Sequence, residues 1–327
     1  MPCQVPVLAL EDLPRWFLYV FGIPFGLAWG SFLNVVIYRL PRDQNLAFPG
    51  SRCPGCGKPI AAYDNVPVLS WLLLRGRARC CGTPISPRYP AVELIGGLLA
   101  WAVLELVVWQ LPAGTSFGLA LLHFVLALAL GLSLVAMTLI DLEFMILPDS
   151  LTLGGAALGL VSAGLRGVGY QNALLGAAIG FVLIWFPFVF LHAKLRGYPG
   201  MGLGDAKLVA LAGAWFGWQG AVFALLAGAA QGTIILLVLM LTGNRMDEPE
   251  AVKLERAEYE AALAAATPEE RAELEREAAL DPLFAAPKTG FGKVRVSFGP
   301  FLALAILEYL LLGPAILEWF SSWMLGS

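Results

Sequence analysis

A chain of 327 residues that is 58% hydrophobic and only 14% charged is too apolar for a soluble domain and reads as a polytopic membrane protein. The net charge of −3 is unevenly spread: residues 247–281 hold twelve acids and four bases, a net −8, so the rest of the chain is about +5. Membrane lipid is the expected surrounding, and no nucleic-acid partner is expected.

Eight apolar runs follow in order, at about 16–38, 90–110, 117–140, 151–165, 171–193, 206–217, 220–242 and 298–320. The first is too long for a cleavable signal and continues into GSFLNVVIYRLP without a small-residue cleavage pattern, so it is expected to be retained. A span needs about 20 residues, so 151–165 and 206–217 are short. Short or interrupted segments beside polar residues often line a site rather than face lipid. The expected fold is an all-α polytopic membrane protein with about eight transmembrane helices. Its segments are an outer N-terminus and first helix (1–38), a cytoplasmic Cys-rich domain (39–89), a transmembrane catalytic core (90–243), an acidic cytoplasmic insertion (244–297) and a last helix (298–327). No internal repeat is seen.

Residues 39–89 carry Arg39, Arg42, Arg52, Lys58, Arg75, Arg77, Arg79 and Arg88 against Asp43 and Asp64 only. That surplus places the segment in the cytoplasm and the N-terminus outside. Alternation then puts 111–116 outside, puts 141–150, 194–205 and 243–297 in the cytoplasm, and puts the C-terminus outside. Cys3 stands alone and is assigned nothing. Cys53, Cys56, Cys80 and Cys81 lie in the cytoplasmic segment, where disulfides are disfavoured. Cys53-Pro-Gly-Cys56 has the bite of a tetrahedral zinc knuckle, and a segment of about 50 residues gains folding energy from a metal. Zinc held by Cys53, Cys56, Cys81 and, less regularly, Cys80 is preferred over free or redox thiols. With every ligand filled, such a site is structural.

Asp141, in TLIDLEFMILPDS, ends the third run, and Asp205, in GMGLGDAK, begins the sixth. Both fall at the cytoplasmic depth, where neighbouring helices can bring them together. Two facing carboxyl groups share one proton, which suits peptide hydrolysis: one takes a proton from water while the other donates to the scissile carbonyl. Gly202 and Gly204 would let a substrate backbone approach, and Lys207 would bias the charge of Asp205. The simplest reading of Asp149, after Pro148, is a helix N-cap. Intramembrane acids also relay protons in transporters, so these residues alone leave protease and proton-coupled transporter about level. A non-enzymatic assembly factor is a third class.

In the insertion, KLERAEYEAALAAA is a strong helix former, and Thr267-Pro268-Glu269-Glu270 reads as a fresh start with Thr as N-cap and Glu at N3. A helical hairpin is expected there, serving as a solvated spacer.

These blocks together resemble the type IV prepilin peptidases, membrane aspartic proteases of the GxGD type. GSFLNVVIYRLP (30–41), the Cys-rich stretch 53–93, IDLEFMILPDSLTL (140–153), GMGLGDAKLVALAGAWFGW (200–218) and SFGPFLALA (297–305) match in order, nearly end to end. The resemblance implies an inner-membrane enzyme with its active site facing the cytoplasm. Such enzymes cut the basic leader from prepilins and pseudopilins after a glycine, and many N-methylate the new terminus with S-adenosylmethionine. It implies Asp141 and Asp205 as the catalytic acids, with Asp149, Gly202, Gly204 and Lys207 supporting, and contacts with pilus or secretion machinery. One departure stands out: the family commonly has Arg-Gly-Arg-Cys-Arg-x-Cys where this chain has Arg75-Gly76-Arg77-Ala78-Arg79-Cys80-Cys81, so Ala78 replaces a cysteine and Cys80 substitutes by a shift of the loop. The acidic insertion is a second departure. The chain lacks the glycine-rich turn of soluble nucleotide-binding folds, so methylation rests on the resemblance.

Overall fold

The computed structural model describes residues 8–242, 249–280 and 297–325; Cys3 and the 244–248 and 281–296 parts of the insertion lie outside them. The elements are α1 (Arg15–Arg39), α2 (Leu69–Leu73), α3 (Arg88–Val103), α4 (Phe117–Phe144), α5 (Asp149–Ser162), α6 (Tyr170–Ile184), α7 (His192–Arg196), α8 (Leu203–Thr242), α9 (Glu250–Ala265), α10 (Pro268–Leu280) and α11 (Gly299–Leu325). Among the described residues β-structure is confined to three isolated bridges. Helices are what apolar sequence must form in lipid, where the backbone can only bond to itself.

Six helices are long and apolar enough to cross a membrane, over Arg15–Arg42, Arg88–Val108, Phe117–Phe144, Tyr170–Arg196, Leu203–Thr242 and Gly299–Trp319. The chain is a multi-pass membrane protein, but the count of eight is not reached on that criterion. Most of the 151–165 run falls in α5, whose 14 residues at about 1.5 Å each fall short of a hydrocarbon core of about 30 Å. The 206–217 and 220–242 runs lie in one 40-residue element, α8. The expected interruption between them is real: Gly217 sits at φ 75°, ψ −171°, inside α8.

The chain divides into two compact units, Met1–Ala136 with Leu310–Ser327, and Met137–Tyr309. In the first, α1 lies against α3 through small residues. A Cβ on Gly26 would meet the Gly96 carbonyl oxygen at 2.5 Å, so these backbones approach as only glycine allows. A π-helical turn, Leu104–Val108, extends α3 and carries Glu105. The Tyr19 hydroxyl donates to Glu105, and Arg15 stands 3.9 Å from it and over the Trp109 ring. This acid, within a candidate span, is held by Tyr19 and Arg15 and reads as structural.

In the second unit α6 packs along α8. A Cβ on Gly180 would meet the Val209 carbonyl carbon at 2.9 Å, and one on Gly217 would lie 2.6 Å from the Asn172 amide nitrogen. The break at Gly217 frees carbonyls at the end of the first half of α8, and Arg166 takes them. Its guanidinium donates to Trp215 O, to Ala214 O at 3.4 Å and to Gly159 O at 2.6 Å, and stacks 4.4 Å from the Trp215 ring centroid. Trp215 in turn donates to Gly155 O at 2.8 Å. Arg166 is therefore the cap of a broken helix, supplied from another segment. Arg166→Leu is expected to cost about 1–3 kcal/mol by stranding these carbonyls, read as a lower thermal unfolding midpoint in detergent; an unchanged midpoint would show that they find other donors.

In the insertion, Thr267 N–H and hydroxyl both donate to Glu270, and Glu270 N–H reaches back to the Thr267 hydroxyl, so α10 starts with the expected capping box. These bonds hold the exposed Glu270 carboxyl below its ordinary range.

Candidate active site and metal centre

Asp141 stands one turn from the end of α4. The chain leaves that helix through Met145, whose N–H bonds to Asp141 O at 2.9 Å and whose φ is 55°. Leu147 and Pro148 follow, and α5 begins at Asp149. The Asp141 side chain is only 5% exposed. It accepts hydrogen bonds from the Ser297 hydroxyl and the Gly299 N–H, at the start of α11. Asp205 lies in the first turn of α8, partly exposed, with its N–H on Gly202 O at 3.2 Å, and its carboxyl takes a backbone hydrogen bond from Gly202. The Asp141 charge reaches it. Two carboxyl groups from different helices thus lie within electrostatic reach of one another, an arrangement that could serve as base and acid.

The two glycines before Asp205 are not equivalent. A Cβ on Gly202 would meet only the Asp205 carboxylate at 3.7 Å and Gly204 N at 3.9 Å, so this position is open. A Cβ on Gly204 would lie 3.0 Å from Leu147 Cβ. The room that the sequence suggested for substrate is, at Gly204, taken by the chain's own Leu147. The other supporting residues also differ from expectation. Lys207 places its ammonium 2.5 Å from Asp149, not on Asp205. Asp149 is the first residue of α5 and makes no side-chain cap; Pro148 holds the cap position. Lys207 and Asp149 therefore tie α8 to α5 beside the pair.

Cys53, Cys56, Cys80 and Cys81 come together, their Sγ atoms all within 4.8 Å of one another. Cys53–Cys81 is 3.4 Å, Cys56–Cys80 3.3 Å and Cys80–Cys81 3.9 Å. A zinc ion bonded at about 2.3 Å to four thiolates spaces them about 3.8 Å apart, so the cluster fits a tetrahedral metal.

The cluster is built by a repeat that the sequence reading missed. Residues 52–60, RCPGCGKPI, and 77–85, RARCCGTPI, fold alike. Cys53 N–H bonds to Lys58 O at 2.9 Å, as Ala78 N–H does to Thr83 O at 2.9 Å. Gly57 N–H bonds to Cys53 O at 2.9 Å, as Gly82 N–H does to Ala78 O at 2.8 Å. Bridges join Arg52 to Pro59 and Arg77 to Pro84, and Gly57 and Gly82 both have φ 71°. Cys81 is the counterpart of Cys56, Ala78 of Cys53, and Cys80 of Gly55. The thiol missing at 78 is made up by Cys80 from within the second knuckle. The Thr83 hydroxyl and N–H donate to Cys81 and lower its thiol to about 6, ready to bind as thiolate, while the hydrogen bond with Cys56 pushes Cys80 up to about 12.

Two family models match the chain: the bacterial peptidase A24 N-terminal domain over residues 24–109, and the type IV leader peptidase family over 128–237. A prepilin leader peptidase/N-methyltransferase of Myxococcus xanthus (strain DK1622) is 39% identical over 327 residues, covering 93% of this chain and 94% of that protein. Proteins of the same name from Burkholderia pseudomallei (strain 1026b), 38% identical over 75% of this chain and 84% of their own length, and from Aeromonas hydrophila, 39% identical over 70% and 83%, are also similar. No solved structure matches the chain.

Proposed function

Because the chain belongs to the type IV leader peptidase family, we propose that it is an aspartic endopeptidase that removes the basic leader of type IV prepilins or pseudopilins, and then N-methylates the residue it exposes. One observation carries the peptidase reading: Asp141 and Asp205, from separate helices, lie within electrostatic reach of one another, with Asp141 buried. The ionised member takes a proton from water as that water attacks the scissile carbonyl carbon. The protonated member donates to the carbonyl oxygen, and collapse of the tetrahedral intermediate returns a proton to the leaving amine. Gly202 is the open backbone beside this pair. The transporter reading finds no support among the relatives.

S-adenosylmethionine is the methyl donor this reading requires, and the relatives' shared name supports it. The cysteine cluster would hold zinc through Cys53, Cys56, Cys80 and Cys81, and the metal would fix the two knuckles together. The enzyme sits in the inner membrane with its N-terminus outside and the aspartates toward the cytoplasm, an orientation supported by the arginine surplus of 39–89. The test is incubation of the purified chain in detergent with a prepilin peptide whose basic leader ends in glycine, with and without isotopically labelled S-adenosylmethionine. Leader loss and label in the product are expected. An intact peptide removes the peptidase reading, and an unlabelled product removes the methylation reading.

The zinc ligands carry their own prediction. Cys80→Ser should lower the metal retained from about one zinc per chain. Adding Ala78→Cys to Cys80→Gly, which copies the first knuckle, should restore it. Full metal in Cys80→Ser would show that Cys80 is not a ligand.

A further inference from the structure

The block that opens the last helix has no role in the chemistry so far. Ser297 is 156 residues from Asp141 in sequence, yet its hydroxyl donates to the Asp141 carboxylate. The Gly299 N–H donates to the same group. Gly299 is the first residue of α11, where N–H groups lack helical partners and the helix end favours negative charge. The fit leaves no slack. A Cβ on Gly299 would overlap Asp141 Oδ2, and would lie 3.1 Å from its Cγ and 3.3 Å from Leu147 Cδ1. Leu147 is the side chain that fills the space against Gly204, so one leucine separates the backbones leading to both aspartates. The segment is also anchored from behind: Phe301 and Leu302 N–H bond to Phe298 O at 3.1 and 3.3 Å, and a Cβ on Gly232 of α8 would meet the Phe301 and Phe298 rings at 3.3 and 3.5 Å.

We propose that Ser297 is a positioning residue of the peptidase site, and that with the Gly299 N–H it aims the Asp141 carboxylate at the attacking water. The proposal rests on the reading of Asp141 and Asp205 as the peptidase pair. Asp141 accepts two hydrogen bonds and Asp205 one, so Asp141 is the carboxylate whose orientation is fixed, which suits it to the part of the base. Asp205 lies within electrostatic reach of Asp141, Glu143 follows two residues after it on α4, and Lys207 pairs with Asp149. No other hydroxyl donor to Asp141 is present among the described residues.

The experiment compares wild type, Ser297→Ala, Ser297→Thr and Gly299→Ala, full-length in detergent, on the same prepilin peptide, with kcat and KM determined separately. Loss of one hydrogen bond to a charged group corresponds to a fall of about 10- to 100-fold. That fall is expected in kcat for Ser297→Ala, with KM changed less than about twofold, because the hydroxyl touches no substrate. Ser297→Thr, which keeps the hydroxyl, should recover most of it; Gly299→Ala should fall at least as far as Ser297→Ala. Wild-type kcat in Ser297→Ala overturns the proposal, as does equal impairment of the Ala and Thr variants, which would make the position one of packing alone. Should Ser297→Ala not survive purification, the Thr variant against Gly299→Ala decides: both at wild-type rate overturns the proposal, and retention in Thr with loss in Gly299→Ala supports it. Asp141→Asn runs in parallel, and wild-type cleavage there sinks the peptidase pair itself, a separate result.

Discussion

Asp205→Asn is expected to slow leader cleavage by about 10²- to 10⁴-fold, and Asp141→Asn likewise, the range a positioned acid or base contributes. The amide keeps the size of the side chain but can neither take a proton from water nor share one. The two variants should be alike in severity because the pair acts as a unit, and the double variant should be no worse than either. Asp149→Asn is the control that separates charge from chemistry. Its carboxylate is 61% exposed and bound to Lys207, and surface ion pairs contribute about 0–1 kcal/mol, so its activity should stay within a few-fold of wild type. A rate loss in Asp149→Asn as deep as in Asp205→Asn would move the chemistry to the wrong side of α5.

Cys53→Ser and Cys56→Ser should each abolish metal binding at the cysteine cluster. Cys53 is 2% exposed, its N–H donates to Lys58 O and its thiol lies against that of Cys81. Among the described residues 39–89 hold a five-residue helix, two knuckles and few buried side chains, which is too little core to order the segment alone. Structural zinc contributes about 10–16 kcal/mol of apparent binding energy in small fingers, so its loss should unfold the segment rather than loosen it. Metal analysis should fall from about one zinc per chain to near none, and amide exchange over 39–89 should become fast. Wild-type protein prepared without chelator and found empty would contradict the metal centre.

What could be read from the sequence, and what could not, divides by distance along the chain. Runs of apolar residues became helices because the signal is local and the membrane leaves the backbone no alternative. Thr267-Pro268-Glu269-Glu270 gave its cap for the same reason, and the interruption near 217–220 was visible as glycines and a polar Gln219. The length of α5 was also visible, and the count of eight comes from reading each apolar run, α5 and the two halves of α8 included, as a span. The aspartates could be named because each sits at the end of an apolar run in a distinctive local phrase. Their surroundings could not. Lys207 finds Asp149 from 58 positions away, Arg166 caps a break 48 and 49 positions on, and Ser297 reaches Asp141 across 156. No periodicity encodes such pairings.

The knuckle repeat is a different kind of miss. Arg, Cys, Gly, Pro and Ile recur at an offset of 25 in 52–60 and 77–85, but the cysteine pattern itself is broken at Ala78. Attention to cysteines alone hides a repeat held by backbone bonds and glycine φ. The glycines of GMGLGDAK divide in the same way: Gly202 is open beside Asp205, whereas Gly204 makes room for Leu147, a contact visible only once the α4–α5 turn is placed against α8.

The most direct measurement is the mass of a prepilin peptide after incubation with wild-type chain, Asp141→Asn and Asp205→Asn, all at equal zinc content. A single cut that removes the whole basic leader in wild type, with the peptide intact in both variants, is the predicted result. An intact peptide with wild type, or the same cut made at the wild-type rate by either variant, would contradict the assignment of Asp141 and Asp205.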